Sequence, residues 1–320
     1  MREAHKRSRN PKVRKTYRVS NWSEYDRALR ARGDITFWFS EEAIGAWAPK
    51  QNARPGRQRK YSALAIETVL TLRLLFHLPL RQAEGFVHSL LVMMDLKLPT
   101  PDHTTLSRRS SSLKPVIDYK IASNEPVHLI VDSTGLSIHG EGPWSQYKSG
   151  NKRRRGWRKM HIAVDGNGNV VATSLSAETT RDASRVPHLF DNYPGPLASL
   201  TGDRGYDQAS VYREALDRNA DASIVIPPRI NGVHSHQKLE LEQRNEHLES
   251  IRSDGIYHWR RESGYYRQST VENAFYRYKT IIGRKLRARG EEARETEVIL
   301  GCNILNRCLE LGRPDSVCVG

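Results

Sequence analysis

Val127-His128-Leu129-Ile130-Val131 is a short apolar run, and Asp132 follows it directly. A run of this length that ends at a polar residue predicts a buried strand. Two more strands are predicted at 157–164 and 170–175, and the turn residues 165–169 (Asp-Gly-Asn-Gly-Asn) between them favour a hairpin. These three strands begin the part of the chain that forms a sheet.

The elements after the hairpin predict how this sheet is covered. They are, in order, a helix at about 186–192, a strand at 197–201, a helix capped by Asp207 that runs to about 218, a strand at 223–226, a helix opened by Ser269 that runs through 271–287, and a helix at about 294–311. Three strands followed by helix, strand, helix and strand predict an α/β (α+β) protein with a mixed sheet flanked by helices. This is the element order of the ribonuclease-H-like fold.

The region before the sheet is basic and then helical. Residues 1–60 are rich in Arg and Lys with scattered turn formers, so we interpret them as a basic N-terminal arm with little core of its own. Residues 61–121 carry three helix patterns, the first capped by Ser62 and the last by Asp102. Two interpretations stay open for these helices: a helix-turn-helix-like DNA-binding region, or a helical subdomain that braces the rest. In the first, Arg108 and Arg109 face solvent and DNA.

The composition favours a polyanionic partner. The 320 residues include 51 Lys and Arg against 36 Asp and Glu, a net charge of +15, and such a surplus favours binding to nucleic acid. A generally basic soluble protein is the alternative. Three cysteines, all close to the C-terminus and without a CxxC pair, predict a reducing, cytoplasmic location. The most apolar stretch, 70–80, is interrupted by Arg73, His77 and Pro79, so no membrane span is expected.

Three acids are the candidate catalytic and metal-binding residues: Asp132 at the end of the first strand, Asp203 just beyond the fourth, and Glu272 in the first turn of a helix. Carboxylates from separate rigid elements hold two divalent ions about 4 Å apart in enzymes of phosphoryl transfer. Each acid also has a structural alternative. Asp132 and Asp203 fit turns, and Ser269-Thr270-Val271-Glu272 fits a capping box. The three together, in this order and in a basic chain, favour catalysis.

A basic run and several isolated residues complete the candidates. The run 152–159 is interpreted as a DNA-backbone contact near Asp132, and it contains Lys152, Arg153, Arg154, Arg155, Trp157, Arg158 and Lys159. Trp157 is its candidate stacking surface, and a solvated loop is the alternative. Asp165 is interpreted as a turn residue and Asp182 as a helix cap. The histidines of 229–262 are spaced too irregularly to predict a metal site.

These motifs resemble those of bacterial insertion-sequence transposases, in particular the insertion-sequence-five (IS-five) group of DDE transposases. The resemblance runs from about Tyr61 to Leu311, and it rests on the stretches 101–109, 131–135, 157–165, 202–207 and 271–283. It implies a ribonuclease-H-like catalytic domain at 122–311, with an insertion at about 229–262 and a C-terminal tail at 312–320.

The resemblance also implies an activity and its parts. These are cleavage of DNA at transposon ends, strand transfer into target DNA, and two Mg²⁺ ions (Mn²⁺ could substitute) on Asp132, Asp203 and Glu272. The family's signature places a Tyr seven residues before the Glu and a Lys seven after, and here Tyr265 and Lys279 match it. Gln268 stands where the signature has Arg, and Arg267 is expected to substitute.

Tyr265, Arg267 and Lys279 are therefore expected to hold phosphates. A homo-oligomer in the bacterial cytoplasm, associated with the nucleoid, is expected because two DNA ends must be paired. Two alternatives are a DNA-binding protein without catalysis and a nuclease that only hydrolyses. The presence of all three acids argues against the first, and the basic N-terminal region argues against the second.

Overall fold

The computed structural model describes residues 16–49, 59–119, 125–139, 156–235 and 239–319. Its strands are β1 (Tyr17–Val19), β2 (Val127–Ile138), β3 (Trp157–Val164), β4 (Val170–Ala177), β5 (Leu197–Gly202), β6 (Ser223–Val225), β7 (Lys285–Leu286) and β8 (Ser316–Cys318). Its first helices are α1 (Trp22–Ala31), α2 (Ile35–Trp38), α3 (Glu41–Gly45), α4 (Ala63–Leu75), α5 (Leu80–Met93) and α6 (His103–Ser112). The later helices are α7 (Val186–Asp191), α8 (Ala209–Arg218), α9 (Glu242–Asp254), α10 (Ile256–Glu262), α11 (Ser269–Ile281) and α12 (Glu291–Leu311).

The main sheet has the order β4-β3-β2-β5-β6, and β7 pairs with the far end of β2. Strands β2, β3 and β4 are antiparallel neighbours, whereas β5 lies parallel to both β2 and β6. Three antiparallel strands followed by two parallel ones, with helices between the later strands, make the ribonuclease-H-like sheet that the element order predicts. The predicted fold class is therefore confirmed.

Alternation along β2 divides the hydrophobic core between the two faces of the sheet. Leu129 and Val131 pack on one face with α7 and α8, whereas Ile130 and Leu136 pack on the other with α4–α6, α11 and α12. Because successive side chains of a strand point to opposite faces, Asp132 and Thr134 lie on the second face. The catalytic candidate on β2 therefore faces the same side as α11.

Residues 16–49 differ from the expected arm with little core. Trp38, Phe39 and Trp47 are buried in the cluster on the α11 face of the sheet, and the Trp47 indole donates to the carbonyl oxygen of Pro99 at 2.8 Å. Strand β1 pairs with β8 from the C-terminal tail. A few large aromatic side chains are enough to anchor a segment whose composition is otherwise polar. Residues 1–15 and 50–58 of the predicted arm lie outside the described residues.

Helices α4–α6 form where the sequence predicts them. The hydroxyl of Ser62 accepts from the amide of Ala65 at 3.0 Å, and a carboxylate oxygen of Asp102 accepts from the amide of Thr105 at 2.9 Å. Both side chains act as N-caps, because each satisfies a backbone donor that the first helical turn leaves unpaired. In the described part of the chain no single helix is long and apolar enough to cross a membrane, and α4 and α5 meet that test only as a pair bent by 110°.

Two predicted details of the helices are wrong. Asp207 does not cap α8, because its buried carboxylate instead pairs with the guanidinium of Arg244, with 2.7 Å between Nε and Oδ1. The helix that carries Glu272 ends at Ile281 rather than near 287. Gly283 has a φ of +116°, a conformation outside the helical region, and the chain then turns into β7.

Candidate active site

Asp132 and Asp203 lie side by side on neighbouring parallel strands. Val131 on β2 is opposite Gly202, the last residue of β5. Asp132 is therefore the next residue of β2, and Asp203 is the first residue after β5. Neighbouring strands are about 4.8 Å apart, which places the two backbones close together. Asp203 also accepts from the amide of Gly205 at 2.8 Å, so it stabilises the turn that follows β5 while it stands at the strand end.

Helix α11 carries Glu272 to the same face of the sheet. The side-chain amide of Gln268 donates to the carbonyl oxygen of Val131 at 3.3 Å, and the ammonium of Lys279 donates to the hydroxyl of Thr134 at 2.6 Å. The first contact precedes Glu272 by one helical turn and the second follows it by two turns. The helix is therefore held along β2 on both sides of Asp132.

The capping-box alternative for Glu272 is wrong. The hydroxyl of Ser269 donates to the carbonyl oxygen of Tyr266 at 2.9 Å instead of accepting from the helix, and no side chain caps the start of α11. Glu272 is exposed, and among the described residues its carboxylate accepts no hydrogen bond. Its carboxylate is therefore not committed to the amides of its own helix.

Electrostatics show that the acids share one region. Burial and, to a smaller extent, the nearby charges of Asp203, Asp182 and Glu272 raise the pKa of Asp132 to about 6, although the hydrogen bond from the Ser133 amide lowers it. The pKa of Tyr265 is raised by burial and by the charges of the three predicted acids. Because these effects require proximity, Asp203 and Glu272 both lie near Asp132.

Asp182 is a fourth acid that the sequence interpretation missed. It begins a short 3-10 helix, but its carboxylate points back to the sheet, so its interpretation as a helix cap is wrong. One oxygen accepts from the hydroxyl of Ser133 at 2.9 Å and from the ammonium of Lys159 at 3.1 Å, and it lies 3.8 Å from Nδ1 of His161. Burial lowers the pKa of this histidine to about 4, so it is neutral at neutral pH.

The acids do not form a preassembled metal centre. In the part of the chain that the structure describes, no group of three or more His, Cys, Asp or Glu side chains is arranged to hold a metal ion. The donor chemistry nevertheless fits a hard divalent cation, which prefers carboxylate oxygens. Burial and, to a smaller extent, the neighbouring acids raise the pKa of Asp132, and a bound cation would favour its ionised form. Glu272 is exposed, so a change of its side-chain rotamer is open to it.

The candidate DNA contacts of the basic run fall into two groups. Residues 152–155, which include Lys152, Arg153, Arg154 and Arg155, lie outside the described residues. The ring of Trp157 lies against Gly135, where an added Cβ would be 3.1 Å from it, and the side chain is 38% exposed. Arg158 pairs with Glu291, with 3.1 Å between Nε and Oε2, and Lys159 binds Asp182. Both cations therefore already have acidic partners.

The remaining candidates lie at different distances from Asp132. Arg267 is exposed. Burial and, to a smaller extent, the charge of Arg267 lower the pKa of the His128 imidazole, so Arg267 lies near His128. It therefore lies at the start of β2, and Gln268, not Arg267, points to the strand beside Asp132. The substitution of Arg267 for the expected Arg stays a prediction. Arg109 donates to the carbonyl oxygen of Tyr61 at 3.2 Å, and Arg108 is exposed.

A ribonuclease-H-like sheet with one acid on its central strand, a second just beyond the neighbouring parallel strand and a third on an adjacent helix is typical of nucleic-acid enzymes that transfer phosphoryl groups. Two family models, both described as "Transposase DDE domain", match residues 30–141 and 123–307. The second match covers more than half of the chain. The chain belongs to the transposase DDE domain family, and it is a DNA transposase, an enzyme that cleaves DNA and transfers its strands.

Two solved structures are similar to the chain. The cryo-EM structure of the piggyBac transposase synaptic complex with hairpin DNA is 12% identical, with a TM-score of 0.40 over 94% of this chain and 80% of that chain. The Drosophila P element transposase strand transfer complex is 12% identical, with a TM-score of 0.29 over 82% of this chain and 70% of that chain. The family assignment rests on the sequence match and not on these likenesses.

Proposed function

We propose that Asp132, Asp203 and Glu272 are the catalytic residues with which this transposase cuts DNA at the ends of its element and joins the freed end to target DNA. The observation that carries the proposal is the register of Val131 against Gly202, because it sets two acids side by side on the face along which α11 lies. The motifs at 131–135, 157–165, 202–207 and 271–283 further support the IS-five group of a bacterial insertion sequence.

The three acids would hold two Mg²⁺ ions, or Mn²⁺ in their place. When bound, the ions supply the positive charge that activates the attacking oxygen and stabilises the leaving oxygen of an in-line displacement. The protein's part is to position its carboxylates, because β2, β5 and α11 are rigid elements. Asp132, whose pKa is about 6, would be held ionised by a cation beside it.

Lys279 and Tyr265 are proposed to hold the phosphates next to the acids. Lys279 lies within reach of Thr134, two residues beyond Asp132 on the same face of β2, and Tyr265 lies near all three acids. Arg108, Arg267, Trp157 and the segment 152–155 are proposed as DNA contacts farther out. Arg109, Arg158 and Lys159 would reach DNA only by exchanging their present partners.

The organisation of the chain is also part of the proposal. We assign the catalytic domain to 122–311, with an insertion at about 229–262. The helical region at 61–121 would brace the sheet, which its shared core with α11 and α12 supports. Two DNA ends must be paired in one reaction, so a homo-oligomer on DNA is proposed, located in the bacterial cytoplasm and associated with the nucleoid.

The test of the acids is cleavage of end-labelled duplex DNA from the ends of the element that encodes the chain. The full chain is compared with Asp132→Asn, Asp203→Asn and Glu272→Gln in Mg²⁺ and in Mn²⁺. Loss of a group that stabilises the transition state lowers the rate by a factor on the order of 100 to 1000, so each variant should show that loss or more. Asp217→Asn, an exposed acid on α8, is the matched control and should nick as the parent does.

Each alternative has its own outcome. Equal nicking by the parent and any one of the three variants would remove that acid from the mechanism. Binding of the end DNA without nicking in either metal would support a DNA-binding protein without catalysis. Nicking of the end without joining of a pre-cut 3′ end to plasmid DNA would support a nuclease that only hydrolyses.

A further inference from the structure

A cavity of about 790 Å³ lies on the side of the molecule formed by α4, α5, α6 and the segment between β7 and α12. Five arginines line it: Arg73, Arg81, Arg108, Arg287 and Arg289. We call it the arginine groove. Apolar walls from the helices and hydroxyl groups from α6 complete its lining.

Arg73 lines the groove and has one buried nitrogen, Nε, without a hydrogen-bond partner among the described residues. Arg73 is only 9% exposed. Burial lowers the pKa of the guanidinium and the charge of Arg287 lowers it further, while Glu297 raises it. A buried N–H donor without an acceptor is costly. This arrangement therefore points to an anion as the natural occupant.

The loop that carries Arg287 and Arg289 is fixed in place. Glu297, an acid in the lining, accepts from the amides of Arg287 at 2.8 Å and of Ala288 at 2.7 Å. The guanidinium of Arg294 donates to the carbonyl oxygen of Ala288 at 3.0 Å. The carboxylate of Glu297 is therefore committed to backbone donors, and the loop presents its arginines on a preformed backbone.

The position of the groove relates it to the acids. Leu286 pairs with Ile138 at the far end of β2, six residues beyond Asp132. At about 3.3 Å per residue this is a distance of about 20 Å. The loop that carries Arg287 and Arg289 therefore begins about 20 Å from Asp132 along β2.

We propose that the arginine groove binds backbone phosphates of the DNA duplex at a distance from the cleaved bond. Five arginines carry more positive charge than is needed to neutralise one free phosphate. They match the charge of several successive phosphates along one DNA strand. The hydroxyl groups of Thr104, Ser107 and Ser111 supply further donors to phosphate oxygens. Only the distance to the cleaved bond rests on the proposed catalytic acids. The binding itself does not.

The experiment measures binding of fluorescent duplex DNA by the full chain without divalent ions, across a range of salt. Arg287→Gln and Arg73→Met are compared with Arg213→Gln, which removes an exposed arginine of α8 on the opposite face of the sheet. Loss of one phosphate contact reduces the slope of log K against log salt by about 1. Each groove variant should show this reduction and bind about tenfold more weakly, while Arg213→Gln should bind as the parent does.

Three results would overturn the proposal. One is unchanged affinity and salt slope in both groove variants, with Arg287→Gln shown to be folded by its melting temperature. Another is an equal loss in Arg213→Gln, which would make the effect one of total charge. In a third, inorganic phosphate stabilises the parent but not Arg73→Met, and the groove variants bind DNA as the parent does. That result would assign the groove to a small anion. The binding assay contains no divalent ions and measures no cleavage, so failure of the groove and failure of the catalytic acids are seen in different experiments.

Discussion

The ammonium of Lys279 donates to the hydroxyl of Thr134 at 2.6 Å. Thr134 is two residues beyond Asp132, so both side chains lie on the same face of β2. Burial lowers the pKa of Lys279 and Arg284 lowers it further, whereas the charge of Asp132 raises it. The bond thus fastens α11 to the catalytic strand and also holds a cation beside the acids.

Two variants separate these roles of Lys279. Lys279→Met should weaken binding of the element's end DNA and reduce the salt slope by about 1, because one phosphate contact is lost. Thr134→Val removes only the hydroxyl and should leave the salt slope unchanged. Fluorescence anisotropy at several salt concentrations measures both. Equal effects of the two variants would mean that the lysine acts only by holding the helix.

Without divalent ions, the free energy of unfolding should fall as the pH rises, because the pKa of Asp132 is raised in the folded chain. The folded chain keeps this proton up to a pH of about 6, whereas an unfolded chain loses it near a pH of about 3.9. The raised pKa therefore favours folding below pH 4, and this advantage is lost as the pH rises through 6. Each unit of pKa difference corresponds to about 1.4 kcal/mol. Asp132→Asn should accordingly be more stable than the parent at pH 8, by up to about 3 kcal/mol.

Urea unfolding at pH 4 and pH 8, with a chelator present, measures this difference. Adding Mn²⁺ at pH 8 should stabilise the parent and leave Asp132→Asn unchanged, because the cation would neutralise the carboxylates. Asp217→Asn is again the control and should follow the parent. A parent that is as stable as Asp132→Asn at pH 8 without metal would contradict the crowding of acids around Asp132.

Asp182 should act as a positioning residue. Its carboxylate binds the hydroxyl of Ser133 and the ammonium of Lys159, and Ser133 is the chain neighbour of Asp132. Loss of a partner that orients a metal ligand costs about 10- to 100-fold in metal affinity or activity. Asp182→Asn should therefore need more Mn²⁺ for half-maximal cleavage. Ser133→Ala, which removes one of the two contacts, should show a smaller shift.

The readout for Asp182 is the metal concentration dependence of cleavage, beside the melting temperature of each variant. A lower melting temperature with an unchanged metal dependence would give Asp182 a purely structural role. A complete loss of cleavage at saturating Mn²⁺, with normal folding, would instead make it a direct part of the chemistry.

The contrast between Asp132 and Asp182 illustrates what the sequence can predict. Asp132 follows an apolar run, a local pattern that correctly predicts a strand. The predicted strand end is wrong, because β2 continues to Ile138 and Asp132 lies half-buried within it. Asp182 lies in a polar segment, and its partners Ser133 and Lys159 are 49 and 23 residues away along the chain. No local periodicity relates such residues, because the antiparallel pairing of β2 with β3 brings them together.

The same contrast between local patterns and contacts of distant residues explains why the sheet is predicted from the sequence and the arginine groove is not. The strands and their order follow from short apolar runs and turn residues, which are local signals. The groove depends on Arg73 of α4 and Arg287 beyond β7, which only the packing of α4–α6 against α12 brings together. Trp38 and Trp47 are likewise buried against a core formed mostly by residues that are distant from them in the sequence.

The packing of α11 against α12 should control the position of Glu272. A Cβ added at Gly301 on α12 would lie 2.7 Å from a ring carbon of Tyr278 on α11, and Tyr278 is buried. Overpacking of this kind costs about 1–3 kcal/mol. Gly301→Ala should therefore lower the free energy of unfolding and, because α11 must shift, also reduce cleavage under conditions in which the protein is folded.

Gly85→Ala is the matched control, because Gly85 lies inside α5 with open space around it. Replacing a helical glycine by alanine there should stabilise the chain by about 0.5–1 kcal/mol. Urea unfolding and end-cleavage assays on both variants give the comparison. If Gly301→Ala were as stable and as active as Gly85→Ala, α11 and α12 would not be in close contact. The helix that carries Glu272 would then be held beside Asp132 by Gln268 and Lys279 alone.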